Sequence, residues 1–322
     1  FLQMEDDKIF EKSKTRTDKM LLYKSMLAGS LAASLAKISA QPFEVLKIRL
    51  QLQVEPIKSS SGSASKYHSL PHAIRTIYRE EGMKAFWKGW VPAQGMSIVY
   101  GAVQFSIFEQ LFKLTKDTAF HKSYPNFNLF LCGAVAGTCS TCFSAPIDLA
   151  KTRMIAQDKK TYKTFYHALF RIAREEGFKA LYQGVVPALL EVFPLTGLNF
   201  MFYRVFSNKF IIFFKVEERH QLPVWALLFT GGLSAVLAKA ATYPLDLARK
   251  RSHIQGFQDK RAGFGKSAVC KRLYSCLYNV VRDESFFGLY KGLIPTLMKS
   301  GVTSAVMFPT YDLLNYLFDK FL

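Results

Sequence analysis

The chain is expected to fold as an all-α membrane protein, with six transmembrane helices built as three tandem two-helix units around a pseudo-threefold axis. Three observations lead there: one short motif recurs in triplicate, each copy closes a long apolar run, and a second apolar run completes each unit. The motif is Pro-x-acid-x-x-base-x-base, seen in "QPFEVLKIRLQ", "APIDLAKTRMIAQ" and "YPLDLARKRSHIQ", whose prolines Pro42, Pro146 and Pro244 lie about 100 residues apart. A second motif follows each, as "EGMKAFWKG" (Glu81 to Gly89), "EGFKALYQG" (Glu176 to Gly184) and "ESFFGLYKG" (Glu284 to Gly292). Two motifs repeated in the same order at the same spacing define an internal repeat.

A charged N-terminal tail is expected over 1–19, followed by units at 20–118, 125–216 and 221–322. Each unit opens with an apolar run rich in small residues: Leu21–Leu50, Asn128–Met154 and Val224–Arg251. A polar loop with a short amphipathic segment follows, such as "LPHAIRTIYREEG", and then the second run: Val91–Phe112, Val186–Phe206 or Leu293–Phe318. Runs of about 20 apolar residues cross a bilayer as helices. An even number of spans returns the chain to its starting side, so the units insert in the same sense and can close into a ring. A soluble helical array needs polar outer faces, which "NFMFYRVFSNKFIIFF" does not supply.

Composition agrees. Half of the residues are hydrophobic, 15% are aromatic and the net charge is +19, as suits a membrane protein with basic loops or one that handles anions. The basic residues are dispersed and no nucleic-acid-binding motif is visible, so no nucleic acid partner is expected. No nucleophile–base set, metal cluster or glycine-rich phosphate loop points to an enzyme, a metal or a cofactor. Cys139 and Cys142 form a CxxC, but inside a helix-like run without zinc-ligand partners, so they read as plain thiols. Gly133 with Gly137, Gly29 with Ala33 and Gly231 with Ala235 read either as close helix contacts or as the ordinary enrichment of small residues in membrane helices. The first twenty residues hold no signal-peptide core, and since the sequence opens on Phe1 an initiating residue upstream is expected.

Charges on an apolar helix need a reason. Positions three, four and seven apart share a helix face, so Lys37, Glu44, Lys47 and Gln51 form one polar stripe. Lys239, Asp246, Arg249 and His253 repeat it, and Thr141, Asp148, Lys151 and Ile155 do so in part. Such stripes cannot face lipid, where a charge costs about 3 kcal/mol or more, so they line a shared interior. Around a threefold ring each acid reaches the next unit's base: Glu44 to Lys151, Asp148 to Arg249 and Asp246 to Lys47, with Gln51 placed to brace the ring. Either the ring is a latch that opens and closes, or it is a static structural network. Pro42, Pro146 and Pro244 lack the N–H of a regular helix and are expected to kink the three helices inward. Lys37 and Lys239 lie five residues before their prolines, at mid-bilayer depth.

The triple motif, with an acid-glycine and an aromatic-base-glycine after each copy, resembles the mitochondrial carrier family over Met20 to Leu322. The resemblance implies a six-helix barrel in the mitochondrial inner membrane that moves metabolites by alternating access, its acid–base ring closing the matrix side. Gln183 replaces the usual base and Ser285 the usual glycine. At the opposite gate the family's aromatic-acid-x-x-base pattern is broken: the sites read Glu109 with Phe112, Arg204 with Ser207 and Asp312 with Asn315. A weak cytosolic gate follows.

By the same resemblance, Lys299, Met96 and Glu191 fall at substrate-contacting positions, with Tyr100 and Gln104 one and two turns beyond Met96. Lys37, Lys239 and Lys299 converging on one cavity call for a multiply charged anion, such as a pyrophosphate or nucleotide; the alternative is that each snorkels or pairs with a neighbouring acid. Glu191 either meets a cationic part of the cargo or pairs with Lys299. The stretches Lys66–Glu109 and Thr242–Lys266 resemble family members that carry thiamine pyrophosphate, which implies that cargo, in exchange for nucleotides. Its diphosphate would suit the lysines, its thiazolium Glu191, and its pyrimidine Tyr100 or Phe193. Coenzyme A or another nucleotide is the rival cargo, and a non-transporting scaffold or proton leak the rival class. Other expected partners are the lipid bilayer, cardiolipin included, and the chain is expected to act as a monomer.

Overall fold

The computed structural model describes residues 2–53, 66–116, 118, 125–157, 161–214, 223–257 and 273–321. Six long helices carry the apolar runs: α1 (Leu2–Leu52), α3 (Trp90–Thr115), α4 (Pro125–Ala156), α6 (Val185–Phe214), α7 (Val224–His253) and α9 (Leu293–Phe321). Three short amphipathic helices lie between the long helices of each unit: α2 (Leu70–Glu81), α5 (Phe165–Glu175) and α8 (Leu273–Glu284). A 3-10 turn follows each short helix, and among the described residues there is no strand. The expected unit boundaries at 216, 221 and 322 lie outside the described residues.

Local chemistry sets the ends of the short helices. The Ser69 side chain accepts from the His72 N–H at the start of α2, where Pro71 costs no hydrogen bond, and Thr164 accepts from the His167 N–H at the start of α5. A residue of positive φ opens the 3-10 turn after each short helix: Gly82 at 76°, Gly177 at 88° and, in the third unit, Ser285 at 77°.

The long helices pack lengthwise across unit boundaries, α1 along α9, α3 along α4 and α6 along α7, while the two long helices of one unit touch far less. The ring is therefore closed by three seams between units. Small side chains let helices approach closely, and α1 buries Ala28, Ala32, Ala36 and Ala40 at every fourth position. Of the two readings of the glycine pairs, ordinary enrichment holds at Gly133 and Gly231, where a Cβ would meet nothing within 4 Å, while a Cβ at Gly29 or Gly137 would make van der Waals contact with a neighbouring helix.

Large apolar side chains face outward along the long helices, among them Ile98, Phe105, Phe143, Ile212, Phe213 and Phe308. In water such a surface would be untenable; against acyl chains it is the ground state. Among the described residues, the stretches Phe130–Ala156 and Phe178–Phe214 are long and apolar enough to span a membrane on composition alone.

At one end of the ring the chain is packed as in a soluble protein. Leu46 and Leu50 of α1 meet Ile77 of α2 and Phe86 of its 3-10 turn; Leu149 of α4 meets Ile172 and Leu181; Leu247 of α7 meets Val280 and Leu289. A central plug joins the units, with Val45, Ile48 and Leu52 against Ile155, Ala156 and Ile254. Pro42, Pro146 and Pro244 lie inside helices that continue past them. Pro42 frees the carbonyl of Ile38, four residues back, and the Trp87 indole N–H donates to that oxygen at 3.2 Å.

Candidate functional site: a charged ring at the convergence of the odd-numbered spans

The motif helices α1, α4 and α7 meet at their C-terminal halves, where the buried cores hold their axes together. Glu44 accepts from Lys151 at 2.6 Å, Asp148 from Arg249 at 2.7 Å, and Asp246 from Lys47 at 2.8 Å. Each pair joins one unit to the next, and all six side chains are largely buried. Gln51 donates to the Tyr243 hydroxyl at 3.0 Å and to Asp246 at 3.2 Å, so it sits against the third pair. Tyr243 in turn donates to the Lys291 carbonyl at 3.0 Å.

One neighbour of the ring was not singled out from the sequence. Lys250 donates to both oxygens of Asp148, at 2.8 and 3.0 Å, while the stripe residue His253 comes within 4.0 Å of the same carboxylate. Lys250 escaped notice because its counterparts are Ile48 and Thr152, so no triplicate pattern points to it. The other residues missed are the last base of each motif: Arg49, Arg153 and Arg251 are almost wholly buried. Each pairs with the acid of its own unit's second motif, Arg49 with Glu81, Arg153 with Glu176 and Arg251 with Glu284. Lys88 and Lys291 pair with Glu81 and Glu284 in the same way. In the second unit, where no base is present, Gln183 instead accepts from Arg153 at 3.1 Å. The signal for these pairs was present: the acid and the base recur in all three units.

The glycine of the second motif has a tertiary reason. Gly89, Gly184 and Gly292 all hold positive φ, and each lies against the next unit's stripe residue. A Cβ would come to 2.8 Å from Ile155, 2.6 Å from His253 and 3.2 Å from Gln51, respectively.

The expected substrate residues separate into two groups. Lys299 is not free: it pairs with Glu44 at 2.8 Å. Lys239 pairs with Glu191 at 2.5 Å and lies 3.7 Å from Asp246. Glu191 therefore meets Lys239 rather than Lys299; its second oxygen has no hydrogen-bond partner and stands 3.9 Å from Arg249. Among the described residues no carboxylate pairs with Lys37, which is half-buried and feels the charges of Lys151 and Lys299. Lys37, Lys47, Lys151, Lys239, Arg249, Lys250 and Lys299 thus face Glu44, Asp148, Glu191 and Asp246, an excess of three positive charges. Tyr100 and Gln104 line a separate cavity of about 950 Å³ between α3, α4 and α6, a cavity that Met96 does not reach.

At the other end of the even-numbered spans, Glu109 pairs with Lys113 of its own helix at 2.6 Å, both well exposed. Arg204 lines the cavity, and among the described residues Asp312 makes no ion pair. The ring end is closed by charge; among the described residues the opposite end is not.

Six spans in three repeats, closed at one end by buried ion pairs over a cationic interior, define a solute transporter of the three-repeat class. The family model of mitochondrial carrier proteins matches residues 18–118, 122–213 and 220–321, and the chain belongs to that family, a transporter of the mitochondrial inner membrane rather than an enzyme. The chain is similar to the human mitochondrial thiamine pyrophosphate carrier, 38% identical over 287 residues that cover 89% of each chain. It is also similar to mitochondrial thiamine diphosphate carrier 1 of Zea mays, 32% identical over 90% of this chain and 92% of the relative. Mitochondrial thiamine pyrophosphate carrier 1 of Aspergillus oryzae is 32% identical over 89% of this chain and 90% of its own.

Proposed function

We propose that the protein carries thiamine pyrophosphate across the mitochondrial inner membrane by alternating access, in exchange for nucleotides. The observation that carries this reading is the excess of three positive charges around a half-buried Lys37 that no described carboxylate neutralises. A multiply charged diphosphate supplies the missing anion, and a desolvated cation binds it more strongly than one in water. The unpartnered oxygen of Glu191 accepts the thiazolium end, which a simple polyanion lacks.

Cargo and gate then share side chains. The diphosphate competes with Glu44 for Lys299 and with Glu191 for Lys239, and each competition loosens a residue tied to the ring. Glu44, Asp148 and Asp246 with Lys151, Arg249 and Lys47 act as the matrix gate, braced by Gln51, and binding lowers the cost of parting them. Pro42, Pro146 and Pro244 serve as the bends about which the units 20–118, 125–216 and 221–322 tilt. The carrier works as a monomer in a bilayer that includes cardiolipin, its cytosolic side held by little more than helix packing.

Uptake of labelled thiamine pyrophosphate into proteoliposomes, with and without internal nucleotide, tests this. The wild type shows saturable uptake that depends on internal nucleotide, and Lys37→Ala, which breaks no ion pair among the described residues, lowers it at least tenfold. Uptake of coenzyme A or nucleotide in its place overturns the cargo; unchanged uptake by Lys37→Ala overturns the cation site.

A further inference from the structure

The cavity between α3, α4 and α6 is set apart from the charged floor, since none of the ring acids or their bases lines it. Phe130 of α4 and Phe193 of α6 meet edge to face there, with centroids 5.7 Å and planes 71° apart. Between them and Tyr100 the wall of α4 is bare: a Cβ at Gly133 would meet nothing within 4 Å, and one at Gly137 would only reach the Tyr100 hydroxyl and Val192 at 3.7 Å. The space beside Gly133 is thus empty of protein and flanked by rings, and at Gly137 it narrows onto Tyr100 and Val192.

Beside the donor Arg204 and the phenols of Tyr100 and Tyr203, two hydroxyls of the lining have a fixed sense. The Thr138 hydroxyl donates to the Ala134 carbonyl at 2.8 Å and the Thr196 hydroxyl to the Val192 carbonyl at 2.9 Å. A hydroxyl that has given its hydrogen to its own helix offers only lone pairs to a ligand. Both therefore act as acceptors toward the cavity, and Gln104 adds one further acceptor and a donor.

We propose that this cavity is a binding site for a planar, amino-bearing heteroaromatic ring carried at the end of a diphosphate. The rings supply stacking and edge contacts, Gly133 gives the room to lie flat, and the threonines select an amino group over an oxo group. The aminopyrimidine of thiamine pyrophosphate and the adenine of an adenine nucleotide both fit, so cargo and counter-cargo share the site. The proposal rests on the carrier reading above.

The test is thermal stabilisation of the purified full-length protein, titrated with thiamine pyrophosphate, ADP, inosine diphosphate and inorganic pyrophosphate. In Gly133→Leu, which fills the wall, the apparent affinity for thiamine pyrophosphate and ADP falls about tenfold, the loss of one stacked base, while that for inorganic pyrophosphate is unchanged. Gly133→Ala, whose Cβ has room, binds like the wild type. In the wild type ADP binds more tightly than inosine diphosphate. Equal weakening of all ligands in Gly133→Leu, no weakening of any, or no binding of either ring compound to the wild type overturns the site. Wild-type protein that binds ADP but not thiamine pyrophosphate overturns the proposed cargo while the ADP titration of Gly133→Leu still decides the cavity.

Discussion

Two residues show how closely the loop chemistry is tuned. Glu81, in the short helix beyond the first span, is pushed up by burial, but the Arg49 and Lys88 charges and hydrogen bonds outweigh this and hold its carboxyl at about 2. A carboxyl depressed below its unfolded value adds stability that is complete above the unfolded pKa, near 4.5, and is lost as pH falls from there toward 2. The thermal midpoint of the purified protein should therefore drop on acidification below pH 4.5, and Glu81→Gln, less stable at neutral pH by about 3 kcal/mol for a broken buried pair, should lose part of that acid limb. Ser285 stands at φ 77° and ψ 169°, a region open in practice only to glycine and taken by Gly82 and Gly177 in the other units. Ser285→Gly relieves that strain and should raise stability by about 1 kcal/mol, read as a higher unfolding midpoint; an unchanged or lower midpoint would show that the serine is not strained.

The charged motif lies at the C-terminal ends of α1, α4 and α7, where the last carbonyls lack partners within the helix. Arg153 closes the end of α7 through the His253 and Gln255 carbonyls, both at 2.8 Å, and Arg251 closes the end of α1 through those of Gln51 and Gln53, at 3.1 and 3.2 Å. A guanidinium with five donors can hold a carboxylate by two bonds and two carbonyls besides, four bonds that a lysine's three donors cannot supply. Mid-helix, the orphan is the Ile38 carbonyl below Pro42, and the Trp87 indole holds it. Trp87→Phe keeps the ring but leaves that oxygen unpaired; it should cost about 1 kcal/mol, measurable by thermal unfolding, and more than the same change at a lipid-facing position.

At the scale of the molecule, three units are tied by three seams of helix packing and one ring of charge. The ties are unequal. Asp148 takes two bases, Arg249 and Lys250, from the third unit alone, whereas Glu44 takes one base from each of the other two units and Asp246 takes only Lys47 from another unit. Asp148→Asn leaves Lys250 buried without its acid and Arg249 with only Glu191, 3.9 Å away, and should destabilise the protein by about 3–5 kcal/mol. Glu44→Gln should cost less, since one of its two bases, Lys299, is partly exposed, its side chain at 38%; equal losses in thermal unfolding would show a symmetric ring.

The repeat, the number of spans and the polar stripe were all legible in the sequence, because each rests on periodicity and on what lipid forbids. So were the acid–base pairs between units, since threefold symmetry turns one motif into a ring. The residues that break the symmetry were not legible. Lys250, the pairing of Glu191 with Lys239 rather than Lys299, and the engagement of Lys299 by Glu44 depend on which side chains reach one another across three helices, and no spacing along one chain encodes that distance. The glycines divide in the same way. Gly133 and Gly137 spell a packing motif, yet they open onto a cavity, because helix contact is decided by the crossing of two axes and not by one helix's pattern. Sequence alone determined what kind of machine this is; only the tertiary structure decided which charges are already spent on each other, and therefore that Lys37 stands without a carboxylate partner among the described residues.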